Sequence, residues 1–178
     1  IHSDCEPVGK FECSNNLFNR TFMLVRWAQQ NNMVSLLTDC PHRERLGWLE
    51  EDHLTGPALR YDFRLARLFT KTLNDIADSQ LTNGLVPTTA PEYTIFHDKN
   101  NPDQLRNNFG DSPAWSSTFI LVPWQQYEFD GDVNLFRIHY DAMKHYLAYF
   151  GSRATNDIVN YGLGDWYDLG PKKPGFSQ

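Results

Sequence analysis

Apolar residues recur with a helical period along most of the chain, and the segments where the period fails carry the unusual chemistry. Leu17, Phe18, Thr21, Phe22, Leu24, Val25 and Ala28 stand at i, i+3, i+4 spacing and predict a helix to about Asn31, capped by Asn15 or Ser14, with one apolar face. A second helical stretch begins near Leu49, is interrupted at Gly56-Pro57, and resumes through Leu59, Phe63, Ala66, Phe69, Leu73, Ile76 and Ala77. Ser112-Pro113 is a helix start, with serine as cap and proline in the first turn, and Trp115, Phe119, Val122 and Gln126 follow it. Pro123 is expected to kink or shorten that helix. Asp130-Gly131-Asp132 then reads as a stop and a fresh cap. Beyond it Leu135, Ile138, His139, Ala142, Met143, Tyr146, Leu147 and Phe150 keep closely to the 3.6-residue period. So short a turn predicts two antiparallel helices. No region is dominated by strand patterning, and only Val34, Leu36 and Leu37 suggest a brief extended segment, so the expected class is all-α.

Several segments break the period. In Asp39-Cys40-Pro41-His42-Arg43-Glu44-Arg45-Leu46-Gly47-Trp48, Pro41 disfavours helix at Cys40 and Gly47 loosens the far end, which predicts a loop leading into the helix near Leu49. Residues 80–111 dissolve into Asn, Pro, Gly and Thr, longer than connections usually run; they form either a solvated excursion or part of a pocket. Gly162 to Gly170 again sets acids and aromatics in a glycine-loosened loop. Residues 1–13, with Pro7 and Gly9 and no helical period, read as a lead-in from an upstream domain.

Composition narrows the partners. A chain of 178 residues, 40% hydrophobic and 14% aromatic, has ample material for one packed core. A net charge of −6 with scattered Lys and Arg is the wrong balance for a nucleic-acid partner. No apolar run is long enough to span a membrane, so no membrane partner is expected. Cys5, Cys13 and Cys40 form no C-x-x-C unit and read as structural thiols, or at most one disulfide. Carboxylates beside Cys40 oppose a nucleophilic thiolate there. His42 and His53 lack a ligand-pair spacing, and the reading calls for no metal and no cofactor.

The loop at 39–48 holds the chemistry. An ordinary charged turn would pair Arg43 and Arg45 with Glu44 in water. Here Trp48 adds a large apolar face, and Glu50, Glu51, Asp52 and His53 follow at once. Acids beside an aromatic face suit sugar cleavage: one carboxyl protonates the leaving oxygen, others bond ring hydroxyls, and an indole lies on the C–H face of the ring. An acid working near neutral pH must keep its proton, which burial or neighbouring carboxylates favour and inward-turned arginines oppose.

Four stretches together resemble one family. They are Glu6-Pro7-Val8-Gly9 with Phe11-Glu12-Cys13-Ser14; Thr38 to Trp48; Asp111-Ser112-Pro113-Ala114-Trp115 with Val122-Pro123-Trp124; and Gly164-Asp165-Trp166. In this order they resemble the catalytic module of bacterial α-L-rhamnosidases, glycoside hydrolase family 78, and the match at 38–48 is highly specific. The resemblance implies an (α/α)6 barrel with a pocket at one end, flanking β-domains, and inverting hydrolysis of terminal α-L-rhamnosyl groups, so that the partner is a carbohydrate. It places the general acid at Glu44 and sugar contacts at Asp39 and at Glu51 or Glu50. Trp48, Trp115 and Trp166 match aromatic positions of the pocket, Arg43 sits beside the acid, and Asp165 belongs to the last motif. Where the family often has Trp-Gly-Asp, this chain has Trp115-Ser116-Ser117. The family's general base falls beyond residue 178. Residues 14–178 are therefore expected to be the N-terminal portion of the barrel, incomplete at its C-terminus, packed against flanking domains and inactive alone. The alternatives are a module that holds carbohydrate without cleaving it, and an (α/α)6 glycosidase of different sugar specificity.

Overall fold

The computed structural model describes residues 2–97 and 108–163. Among them the chain is helical without strands: α1 (Asn16–Asn32), α2 (Leu49–Leu54), α3 (Gly56–Asp62), α4 (Ala66–Ser79), α5 (Pro113–Ser116), α6 (Thr118–Asp130) and α7 (Asn134–Ser152). The core lies where α4, α6 and α7 face one another. Leu68, Phe69, Thr72, Leu73 and Ile76 make the buried stripe of α4. Phe119 and Val122 of α6 and Leu135, Met143 and Tyr146 of α7 pack into the same cluster. Each such apolar side chain removed from water contributes roughly 1.5–3 kcal/mol.

α1 forms for the local reasons its sequence supplies, since the side-chain carbonyl oxygen of Asn15 accepts from the Leu17 N–H at 2.9 Å. Its predicted apolar face, however, is turned outward. No residue of α1 is buried, and Leu17 and Leu24 are 66% and 70% exposed. The helix touches the rest through Phe22, which meets Phe11, and through Arg26, whose guanidinium lies 5.3 Å from the Phe63 ring centre.

The stretch expected to run from Leu59 to Ala77 is divided again, at Phe63–Leu65. The lead-in residues cause the division. Val8 and Gly9 N–H groups donate to Asp62 O, and Arg64 N–H donates to Glu6 O, which draws Phe63 into an extended conformation. Gly9 is required for this approach, because a Cβ there would stand 2.4 Å from Tyr61 O.

The next interruption also differs from expectation. It falls at Ser117, between α5 and α6, while Pro123 lies inside α6, which continues through it to Asp130. At the break Thr118 turns its hydroxyl onto Leu49 O of α2. Gly131 closes α6 with φ 67°, a left-handed cap that suits glycine. The Asp132 carboxylate then accepts from Asn134 N–H at 2.9 Å to open α7. On α7, Leu135, His139, Met143 and Tyr146 are buried, whereas Ile138 and Leu147 are exposed. The segment at Val34–Leu37 is a tight turn, with Ser35 at φ 76°. Cys5, Cys13 and Cys40 are all free thiols.

Candidate functional site

A cleft of about 1120 Å³ opens where the 39–48 loop, the start of α2, the residues Thr94, Phe96 and Phe109, and α5 meet. Asp39, Glu44, Trp48, Glu50, Glu51 and Trp115 all line it. The loop reaches this position through backbone geometry rather than through a helix. Residues 41–44 form a turn, Glu44 N–H donates to Cys40 Sγ, and Arg45 takes the left-handed φ of 58°. The chain then straightens along a neighbouring segment: Ala90 N–H donates to Gly47 O at 3.1 Å and Leu49 N–H to Thr88 O at 2.9 Å. Gly47 permits that contact, since a Cβ would sit 2.6 Å from Ala90 O. Trp48 is thereby held at the mouth of α2.

Glu44 is exposed, and its Oε2 accepts a hydrogen bond from Trp48 Nε1 at 3.0 Å. Arg43 and Arg45 are themselves exposed and lie outside the cleft lining. The indole of Trp48 is fixed further by Phe96, stacked at 5.4 Å, and by Trp115, edge-on at 6.4 Å. A row of aromatic rings therefore borders the carboxyl group at 44.

Asp39, Glu50 and Glu51 form an acidic cluster. Burial, then Glu50, then Asp39 push the Glu51 carboxyl above its ordinary range, so this group favours its neutral form more than a solvated glutamate does. Asp39 Oδ1 is buried without a hydrogen-bond partner. Behind Glu51, Asp52 is fully enclosed; burial and the neighbouring Glu51 push it well up, opposed by Arg60. His53 Nδ1 lies 2.6 Å from Thr118 Oγ1. Because the Thr118 proton is committed to Leu49 O, His53 Nδ1 must be the donor. Burial pushes His53 down, opposed by a backbone hydrogen bond at Leu49, which shifts the balance toward the neutral ring.

The far wall is tied down by Asp111. Its Oδ2 accepts from the Tyr149 hydroxyl and from Arg153 Nη1, the latter at 3.0 Å. Arg153 in turn lies 4.1 Å over the Tyr161 ring. Leu163 N–H donates to Ser112 Oγ at 3.0 Å, and Leu163 lines the cleft. Asp165 and Trp166 lie outside the described residues. Among those described, no cluster of His, Cys, Asp or Glu has the geometry to hold a metal ion.

Thr94, Phe96 and Phe109 also line the cleft, and sequence reasoning did not single them out. Their segment showed no period and no charged motif; the aromatic residues among its Asn, Pro and Thr were the available signal.

The bacterial alpha-L-rhamnosidase six-hairpin glycosidase domain, as a family model, matches residues 6–178. The chain belongs to this family. An α-L-rhamnosidase of Formosa agariphila is 28% identical over 93% of this chain and 17% of the relative's own length. The structure of an α-L-rhamnosidase from Dictyoglumus thermophilum superimposes with a TM-score of 0.81 at 32% identity, over 97% of this chain and 18% of the other. The Streptomyces avermitilis α-L-rhamnosidase, solved complexed with L-rhamnose, gives a TM-score of 0.82 at 26% identity, over 98% of this chain and 16% of the other. The chain thus spans under a fifth of these relatives, and its helices are part of an (α/α)6 barrel. As a segment of a rhamnosidase-family domain, it presents its acids and indoles together in one cleft.

Proposed function

We propose that the protein carrying this chain hydrolyses terminal α-L-rhamnosyl groups, and that the cleft at Glu44 supplies the acid half of the reaction. The observation that carries the reading is the Glu44 carboxyl, hydrogen-bonded to the Trp48 indole in the same cleft as Asp39, Glu50 and Glu51. The names of the relatives support the choice of sugar.

In this mechanism Glu44 gives its proton to the glycosidic oxygen as the bond to the anomeric carbon breaks. A water adds to that carbon from the opposite face and yields a proton to a general base, inverting the configuration. The base comes from a later part of the natural protein. Asp39, which lines the cleft, accepts a sugar hydroxyl there. Glu51, whose carboxyl burial and the neighbouring Glu50 and Asp39 push above its ordinary range, adds a second hydroxyl contact from the cleft lining. Glu50 and Trp115 add contacts from the cleft wall, Asp165 and Trp166 complete the sugar-contacting set, and Arg43, exposed and outside the cleft lining, is not among them. Residues 1–13 join this domain to an upstream one, and the natural protein packs further domains around it.

The test is rhamnose release from an unactivated aryl α-L-rhamnoside by the natural-length protein. Glu44→Gln is expected to lower kcat by about 10²–10⁴ while calorimetry still detects L-rhamnose binding. Unchanged turnover removes Glu44 from the role. Wild-type binding without release would make the cleft a sugar-holding site, and release from other aryl glycosides in preference would reassign the sugar.

A further inference from the structure

Glu50 and Glu51 stand on a helix that has little of its own to hold it. α2 is six residues long, and Trp48 gives its start no side-chain cap; a helix of that length does not persist in water by itself. Its first turn carries Glu50, Glu51 and Asp52 in succession. The charges of Glu50 and Asp39 act on Glu51, and such repulsion pushes the turn away from the loop that carries Asp39.

What opposes this lies on the other side of α2. Leu49 and His53 are four residues apart and share one face of the helix. Thr118, the first residue of α6, is 0% exposed and turns its hydroxyl into that face. The hydroxyl donates to Leu49 O and accepts from His53 Nδ1 at 2.6 Å, so one oxygen spans a full turn of α2. A hydroxyl buried this completely is tolerated because its bonds are made. Gln125, further along α6, donates from Nε2 to His53 O at 2.7 Å. Thr118 has its place through the break at Ser117; on the other side of that break α5 carries Trp115 into the cleft and Ser116 Oγ donates to Val86 O at 2.6 Å. Neither Thr118 nor His53 lines the cleft.

We infer that Thr118 and His53 are positioning residues, which pin the first turn of α2 to α6 and thereby set where Glu50 and Glu51 meet the sugar. The inference rests on the hydrolytic reading above for the identity of the ligand. Glu44 is held separately, by its own loop and the Trp48 indole. Loss of the pair therefore acts on sugar binding more than on proton transfer.

Kinetics of the natural-length protein with an aryl α-L-rhamnoside test it. Thr118→Val keeps the shape and removes the hydroxyl, whereas Thr118→Ser keeps the hydroxyl and removes a methyl group. Thr118→Val is expected to raise KM about tenfold and to change kcat less than about threefold, with Thr118→Ser within about threefold of wild type in both. His53→Phe, at the half-buried end of the pair, should raise KM similarly, and the double variant should be no worse than the worse single one, because both break the same link. Unchanged KM in either Thr118→Val or His53→Phe, equal impairment by Thr118→Ser and Thr118→Val, additive losses, or a fall in kcat at constant KM overturns the pair. Where Thr118→Val does not fold, His53→Phe decides by the same split between KM and kcat. Amide hydrogen exchange gives a readout without substrate: residues 49–54 should exchange about tenfold faster in both variants while residues 68–76 of α4 keep the wild-type rate. That localised change supports the pair even if no rhamnoside is cleaved, in which case the hydrolytic reading alone fails. Faster exchange that extends through α4 marks a loosened core and overturns the pair. Cleavage and exchange that ignore both substitutions leave the hydrolytic reading intact and sink the pair.

Discussion

Asp52 illustrates how one residue can carry a cost in the interior of this domain. It is 3% exposed, its Oδ1 has no hydrogen-bond partner, and burial and Glu51 push its carboxyl well up. Above the usual carboxylate range an unfolded chain has released this proton while the folded chain still holds it. The folded state then binds more protons, so stability falls as pH rises through the window between the unfolded and the raised folded value. Asp52→Asn removes the ionisation and is expected to flatten that dependence. At neutral pH it should raise the melting transition of this domain by a few degrees, on the order of 1 kcal/mol. Melting curves from about pH 4 to 8 check it; an unchanged slope would mean that Asp52 is ionised in the fold.

At the scale of elements, the cleft depends on two extended segments lying against each other. Gly47–Leu49 and Thr88–Ala90 exchange backbone hydrogen bonds, and the contact leaves no room for a side chain at 47. Gly47→Ala must push backbone from backbone. The expected cost is about 1–3 kcal/mol, together with weakened L-rhamnose binding, because Trp48 and Glu44 hang from the displaced segment. Gly151 near the end of α7 has nothing within 4 Å of its Cβ position. There the same substitution should be neutral or stabilising by about 0.5–1 kcal/mol. Thermal melting paired with rhamnose titration distinguishes the two glycines. Equal behaviour would mean that the 47–90 contact does not support the site.

For the molecule as a whole, the outward face of α1 is the largest mismatch between sequence pattern and packing. Leu17, Phe18, Leu24 and Trp27 are exposed, and contiguous apolar surface of this kind marks a docking face. The family domain has six hairpins, and this chain spans 17% of a matched relative. Further helices of the domain are therefore predicted to cover α1 in the natural-length protein. Leu24→Asp should leave the melting of the chain by itself nearly unchanged and destabilise the natural-length domain by about 2–4 kcal/mol. Equal, small effects in both would place the face in solvent.

Local signals made much of this protein legible without coordinates. The Asn15 cap, the Leu49 start, the Gly131 stop and the buried stripe at Phe69, Leu73 and Ile76 are matters of backbone propensity and period, which act over a few residues. The loop at 39–48 stood out because acids, arginines and an indole rarely crowd an ordinary turn. What sequence could not supply was contact between distant segments. The break at Phe63 needs the backbone of Glu6 to Gly9, the Trp48 position needs Thr88 to Ala90, and the aromatic row needs Phe96 brought beside Trp48 and Phe109 beside Phe96. Periodicity tells which side chains share a face; only the folded chain decides what that face meets, because burial is a property of the assembled neighbours and not of the residue.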